Sequence, residues 1–68
     1  MKGRVYLVES GDSRNQLVRG PIRDVLKAYG VPALWSAMHR GWFVRLERVP
    51  DLVARLEVDG YSVRRAAR

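Results

Sequence analysis

The 68 residues are predicted to form one α+β domain, residues 1–68, with a four-stranded antiparallel sheet and two helices on one of its faces. Three observations predict it. Two stretches carry apolar residues at i, i+3, i+4 and i+7, the stripe a helix needs to lie on a sheet. Each begins beside a proline and ends near a glycine, the usual helix punctuation. Short runs of β-forming residues surround them, giving the order strand, helix, strand, strand, helix, strand.

Residues 4–9 read as the first strand, with Val5 and Leu7 on one face and Tyr6 and Val8 on the other. Residues 10–16 are the most polar segment and read as a mobile loop. Leu17 and Val18, which follow it, are the exceptions in the connection to the first helix, either extending a helix backwards or tucking the loop onto the core. Gly20-Pro21 opens a helix over 21–29, with Ile22, Val25, Leu26 and Tyr29 as its inward stripe. Gly30 caps it and Pro32 blocks continuation.

Residues 33–47 hold both tryptophans and the sole phenylalanine, in two β-rich runs around His39-Arg40-Gly41. This is a hairpin signal, with Gly41 expected to supply a positive φ. A two-residue turn at Arg40-Gly41 pairs His39 with Trp42, Ala37 with Val44 and Trp35 with Leu46, facing the helices. Met38 with Phe43 and Ser36 with Arg45 then face outward. A three-residue joint swaps the faces of the strand before it. Val49-Pro50-Asp51 starts a second helix over 50–58, with Val49, Leu52, Val53 and Leu56 inward. Residues 61–65 form the last strand, and the tail to Arg68 reads as frayed.

Two faintly similar halves support this order. Val5-Tyr6-Leu7-Val8-Glu9 matches Phe43-Val44-Arg45-Leu46-Glu47 in character, and Ile22-Arg23-Asp24-Val25-Leu26 matches Val49-Pro50-Asp51-Leu52-Val53. Two βαβ units in this order resemble the split βαβ, or ferredoxin-like, fold. That resemblance implies central first and third strands, and one open sheet face. Val5-Tyr6-Leu7-Val8 and Arg40-Gly41-Trp42-Phe43-Val44 also resemble the two strand motifs of the RNA recognition motif, the longer one lacking a residue. The resemblance implies that Tyr6 and Phe43 stack on bases. Gly41-Trp42-Phe43-Val44-Arg45-Leu46, a helix and Gly60-Tyr61-Ser62-Val63 are similar to the second half of SPOR domains, which bind glycan strands. Very small proteins of high-GC genomes and their phages resemble the chain in size and composition.

Charge and composition narrow the function. The net charge is +6, with 13 Lys and Arg against 7 Asp and Glu. A basic surface favours a polyanion: nucleic acid, an acidic protein or an anionic membrane, of which nucleic acid or an acidic protein is expected here, and no membrane. Without cysteine and with one histidine, disulfides, thiol catalysis and a histidine-rich metal site are excluded. No cofactor is expected. Gly11-Asp12-Ser13 recurs in a family of lipases, but His39 is the only base available to Ser13, at the far hairpin tip. No enzymatic activity is expected. No apolar run reaches membrane-spanning length, and the expected location is the cytoplasm. The candidate binding residues are Tyr6, Met38, Arg40, Phe43, Arg45, Arg64 and Arg65. They would hold single-stranded nucleic acid or, alternatively, a protein partner, including a second copy in a homodimer. A core of this size supplies only about 3–5 kcal/mol, so a partner chain is a natural source of added stability.

Overall fold

The computed structural model describes residues 2–66. Its elements are β1 (Gly3–Val8), β2 (Asn15–Arg19), α1 (Arg23–Tyr29), β3 (Ala33–Ser36), β4 (Gly41–Arg45), α2 (Val49–Val58) and β5 (Tyr61–Ala66). One tight helical turn, Leu46–Arg48, leads into α2. The expected frayed end at Ala67 and Arg68 lies outside the described residues. Among the described residues, no helix is long and apolar enough to cross a membrane.

The sheet has five strands in the order β3-β4-β2-β1-β5, not four. It is mixed, not antiparallel: β1 pairs antiparallel with β2 but parallel with β5. This overturns the ferredoxin-like prediction, and one segment is responsible. Residues 15–19, expected in the loop leading to the first helix, form β2 at the centre of the sheet. Only two of them, Leu17 and Val18, are apolar, and they are adjacent in sequence. Adjacent strand residues point to opposite faces. Each face therefore receives one apolar side chain, and both are almost wholly buried, at 1% and 0% exposure. Gln16 satisfies its side-chain amide locally, donating to the Val8 carbonyl at 2.8 Å and the Leu17 carbonyl at 3.2 Å.

The turn before β2 is organised by Asp12. Its carboxylate accepts from the Arg14 N–H at 2.8 Å and the Asn15 N–H at 3.1 Å. The Arg14 N–H, then the Asn15 side chain, hold the Asp12 carboxyl below the usual carboxylate range. The segment expected to be a mobile loop thus contains a side-chain-bonded turn.

Both helices lie on one sheet face. Ile22 and Leu26 from the α1 end, and Val49, Leu52 and Leu56 from α2, form one core with Val5, Leu7, Val18 and Val44. Val5 and Leu7 fall inward as expected. α1 starts two residues later than expected, at Arg23, so Pro21 precedes the helix instead of opening it. Gly30 is in the left-handed conformation at the α1 C-terminus, and its N–H bonds back to Lys27. The far ends of the helices are tied together. The Tyr29 hydroxyl donates to the Asp59 carboxylate, which pushes the phenol up to about 12, and the Arg55 guanidinium lies 4.4 Å from the Tyr29 ring centroid.

The β3–β4 hairpin also differs in detail. Its pairs are Ala33 with Val44, Leu34 with Phe43, Trp35 with Trp42 and Ser36 with Gly41, around a four-residue turn at 37–40. The register differs from the expected one by an even number of residues. Trp35 therefore keeps its helix-ward face and Ser36 its outward face. Ala37, Met38 and His39 leave the strand for the turn. Leu46 was expected inside but begins the tight turn before α2 and is 46% exposed.

Gly41 does not supply the positive φ; Arg40 does, at 51°. Gly41 is needed for close approach. A Cβ there would lie 2.8 Å from Leu17 Cδ1 and 3.0 Å from the Val18 carbonyl oxygen. The glycine seats β4 against β2, which explains the four-residue turn. Two substitutions follow. Gly41→Ala should destabilise by about 1–3 kcal/mol through overpacking. Arg40→Gly should stabilise by about 0.5–1 kcal/mol, because a left-handed L-residue is relieved at some entropic cost. Urea melts of both proteins check the opposite signs.

Candidate ligand-binding face of the sheet

The face away from the helices is assembled by strand register. Leu34, Phe43, Leu17, Val8 and Ala66 are successive cross-strand partners, one from each strand. They make an apolar row across the full width of the sheet. Tyr6 lies in the next row, with Arg19 as its partner on β2 and Arg64 as its partner on β5. By alternation, Arg4 and Arg45 share this face.

Among the described residues, the strands thus place Arg4, Arg19, Arg45 and Arg64 on the open face, all exposed, and no acidic residue. The helices differ. Arg23, Lys27 and Arg55 are balanced there by Asp24, Asp51 and Glu57. The open sheet face carries four positive charges, whereas the two helices together carry none net. Arg45 makes one contact with an acid, to Glu47 at 3.6 Å, with both side chains largely exposed. Such a pair is weak in water and leaves Arg45 able to exchange partners.

The predicted residues are partly brought together. Tyr6, Phe43, Arg45 and Arg64 share the open face, as expected. Arg65 lies on the opposite, helix-ward face, because its partner on β1 is Leu7. Met38 and Arg40 sit in the β3–β4 turn beyond the sheet, with Met38 89% exposed. The two segments resembling the RNA recognition motif lie on β1 and β4, with β2 between them. Two strand spacings and a two-residue offset separate Tyr6 from Phe43 by roughly 12 Å between Cα atoms.

Arg19 is the functional candidate missed in the sequence, because its segment was expected to be irregular. It has a second contact. Its Nε donates to the His39 carbonyl at 2.9 Å, fastening the hairpin tip to β2. His39 in turn packs its ring edge-on to Phe43 at 5.4 Å, and its Nδ1 lies 3.0 Å from Ser36 Oγ. The Phe43 ring is thus buttressed from the turn. The signal for Arg19 was the alternation Leu17-Val18-Arg19 placing it on the same face as Leu17.

A second concavity lies at the helix-ward corner of β3 and β4. Trp35 and Trp42, edge to face at 5.2 Å, line it with Pro21, Ile22, Arg23 and Asp24. It encloses about 680 Å³. Both indoles were expected to be covered by helix; instead Trp35 is 50% exposed. α1 is only seven residues long and leaves this corner of the sheet bare.

Ser13 and His39 lie in turns at opposite ends of β2, so the structure does not assemble a hydrolytic pair from them. Among the described residues, no group of three or more His, Cys, Asp or Glu side chains is placed to hold a metal ion.

Compared with known proteins, the chain matches no family model, no curated protein and no solved structure.

The Arg19 contact yields a local prediction. Arg19→Ala should speed amide hydrogen exchange at residues 37–40 by about tenfold, while β1 and β5 amides stay protected. Exchange followed residue by residue checks it. Equal acceleration throughout the sheet would mean that Arg19 supports the whole fold instead of the hairpin tip.

Proposed function

We propose that the chain is a small basic binding module that holds single-stranded nucleic acid on its open sheet face, in the cytoplasm. One observation carries this reading: the segregation of charge. Four arginines and no carboxylate share the strand face, while the helices are neutral. Net charge kept only for solubility has no reason to collect on one face. Binding a polyanion gives it one, since each phosphate neutralised releases counterions.

The aromatics complete the site. Tyr6, between Arg19 and Arg64, offers a ring for a base with a cation on either side for phosphate. Phe43, held by His39, offers a second ring. The strand between them means that they seat bases separated along the strand, with Leu17 and Val8 beneath the intervening nucleotide. No contact is base-specific, so sequence preference is weak and salt dependence strong.

An acidic protein docked on the same face is the second reading. Exposed Leu34, at the end of the apolar row, favours it, because a protein partner would cover that side chain, which a nucleic acid need not touch.

Fluorescence anisotropy with a short labelled single strand tests the proposal. Tyr6→Ala and Phe43→Ala should each cost about 1–3 kcal/mol of affinity with the fold retained. Arg64→Ala should reduce the salt slope by about 0.7, one single-strand phosphate. Arg23→Ala, on α1, should leave the slope unchanged. If Arg23→Ala matches Arg64→Ala, attraction is diffuse and the face is not a site. If no oligonucleotide binds at moderate salt, the acidic-protein reading replaces this one.

A further inference from the structure

The two edges of the sheet are managed differently. β5 is guarded by Arg64 and Arg65, adjacent and both exposed. Charged side chains on an edge strand discourage pairing with another chain. β3, the other edge, has no such guard. It carries no charge, and its pairing with β4 is continuous, with no bulge. It lies within residues 28–39, the longest stretch without Lys, Arg, Asp or Glu in the chain. Leu34 is 72% exposed on its open face and Trp35 50% exposed on its helix-ward face. β4 is its sole strand partner among the described residues, so the outward N–H and C=O groups of β3 face solvent.

We infer that β3 pairs antiparallel with β3 of a second copy. Charge selects this occupant and this place. A chain of net charge +6 repels its own copy wherever arginines meet. Pairing through β5 would set Arg64 and Arg65 against their counterparts, and like charges directly opposite destabilise a strand pair. Pairing through the open face would stack Arg4, Arg19, Arg45 and Arg64 on a second such set. Residues 31–39 are where two copies approach with no charged side chain between them.

Symmetry then fixes the arrangement. A two-fold axis relating two antiparallel strands in one sheet stands perpendicular to that sheet, and one residue lies opposite its own copy. Here that residue is Leu34 or Trp35. The axis keeps both helix layers on one side. Both open faces share the other side, where Arg4, Arg19, Arg45 and Arg64 of the two copies form one surface on a ten-stranded sheet. The four-residue strand makes this a small interface, at the weak end of specific association.

Sedimentation equilibrium of the full chain from about 10 to 500 μM tests it, a range suited to a weak interface. Wild type should rise from 7.8 kDa toward twice that mass. Leu34→Lys should remain monomeric, or associate at least about tenfold more weakly, since it sets like charges across the new strand pair. Leu34 is already largely exposed, so an unchanged thermal melt at low concentration verifies its fold. Val58→Lys adds the same charge on α2, where Val58 is 86% exposed, and should dimerise almost as wild type does. Tryptophan emission should shift with concentration in wild type and not in Leu34→Lys, because Trp35 enters the interface. A monomeric wild type over the whole range overturns the inference. Equal dimerisation by Leu34→Lys and wild type also overturns it, placing the contact elsewhere on the molecule.

Discussion

The structure depends on β2 lying in register between β1 and β4. Among the described residues it joins the two halves of the sheet: β1 with β5 on one side, β3 with β4 on the other. Leu17 and Val18 bury completely in opposite directions, so β2 cannot slip by one residue without exchanging them. Gly41 imposes the same requirement from β4, since its missing side chain is the space Leu17 and the Val18 carbonyl occupy. The open face inherits its order from this lock. Leu17 anchors the apolar row, and Arg19 is aligned with Tyr6 through the same ladder.

That lock also explains why charge and apolar surface coexist on one face. Apolar residues close the centre of the sheet, where Leu17 and Val8 are shielded by their strand neighbours. The arginines occupy flanking positions, from which long side chains reach water. On the proposed reading, stacking and phosphate neutralisation would draw on the same surface. The opposite layer is constrained to pack α1 and α2 and has its charges evenly paired off in number. The bare corner at Trp35 and Trp42 is what remains when a seven-residue helix covers a sheet of this width.

Much of this was legible in the sequence where periodicity was strong. Both helices, their inward stripes and the faces of β1 and β4 followed from spacing alone. The failure at residues 15–19 has a definite cause. A short central strand that buries a side chain toward each face shows no alternation, only two adjacent apolar residues amid polar ones. Missing it changed the sheet's strand count and direction, and removed Arg19 from the candidate face. The hairpin register failed for another reason. Gly41 looked like a turn residue, but its requirement comes from β2, a strand distant in sequence. Arg65 was misplaced from Arg64 because grouping by charge ignored the two-residue period. Tyr6, Phe43, Arg45 and Arg64 survived because their faces depended only on alternation within their own strands.

The parallel pairing of β1 with β5 bears on how the chain reaches this state. Gly3 lies beside Tyr61 and Val8 beside Ala66, each pair 58 positions apart. Contacts of such long range close late, because the loop entropy must be met before the ladder returns anything. Until β5 arrives, β1 is itself a sheet edge, with its outward backbone groups open. On a ribosome that interval lasts until the last strand has been synthesised and released from the exit tunnel, so the nascent chain holds an unfinished sheet. The final ladder therefore acts as a closing seam, and the speed of its formation sets how long a strand-pairing surface stays available to wrong partners.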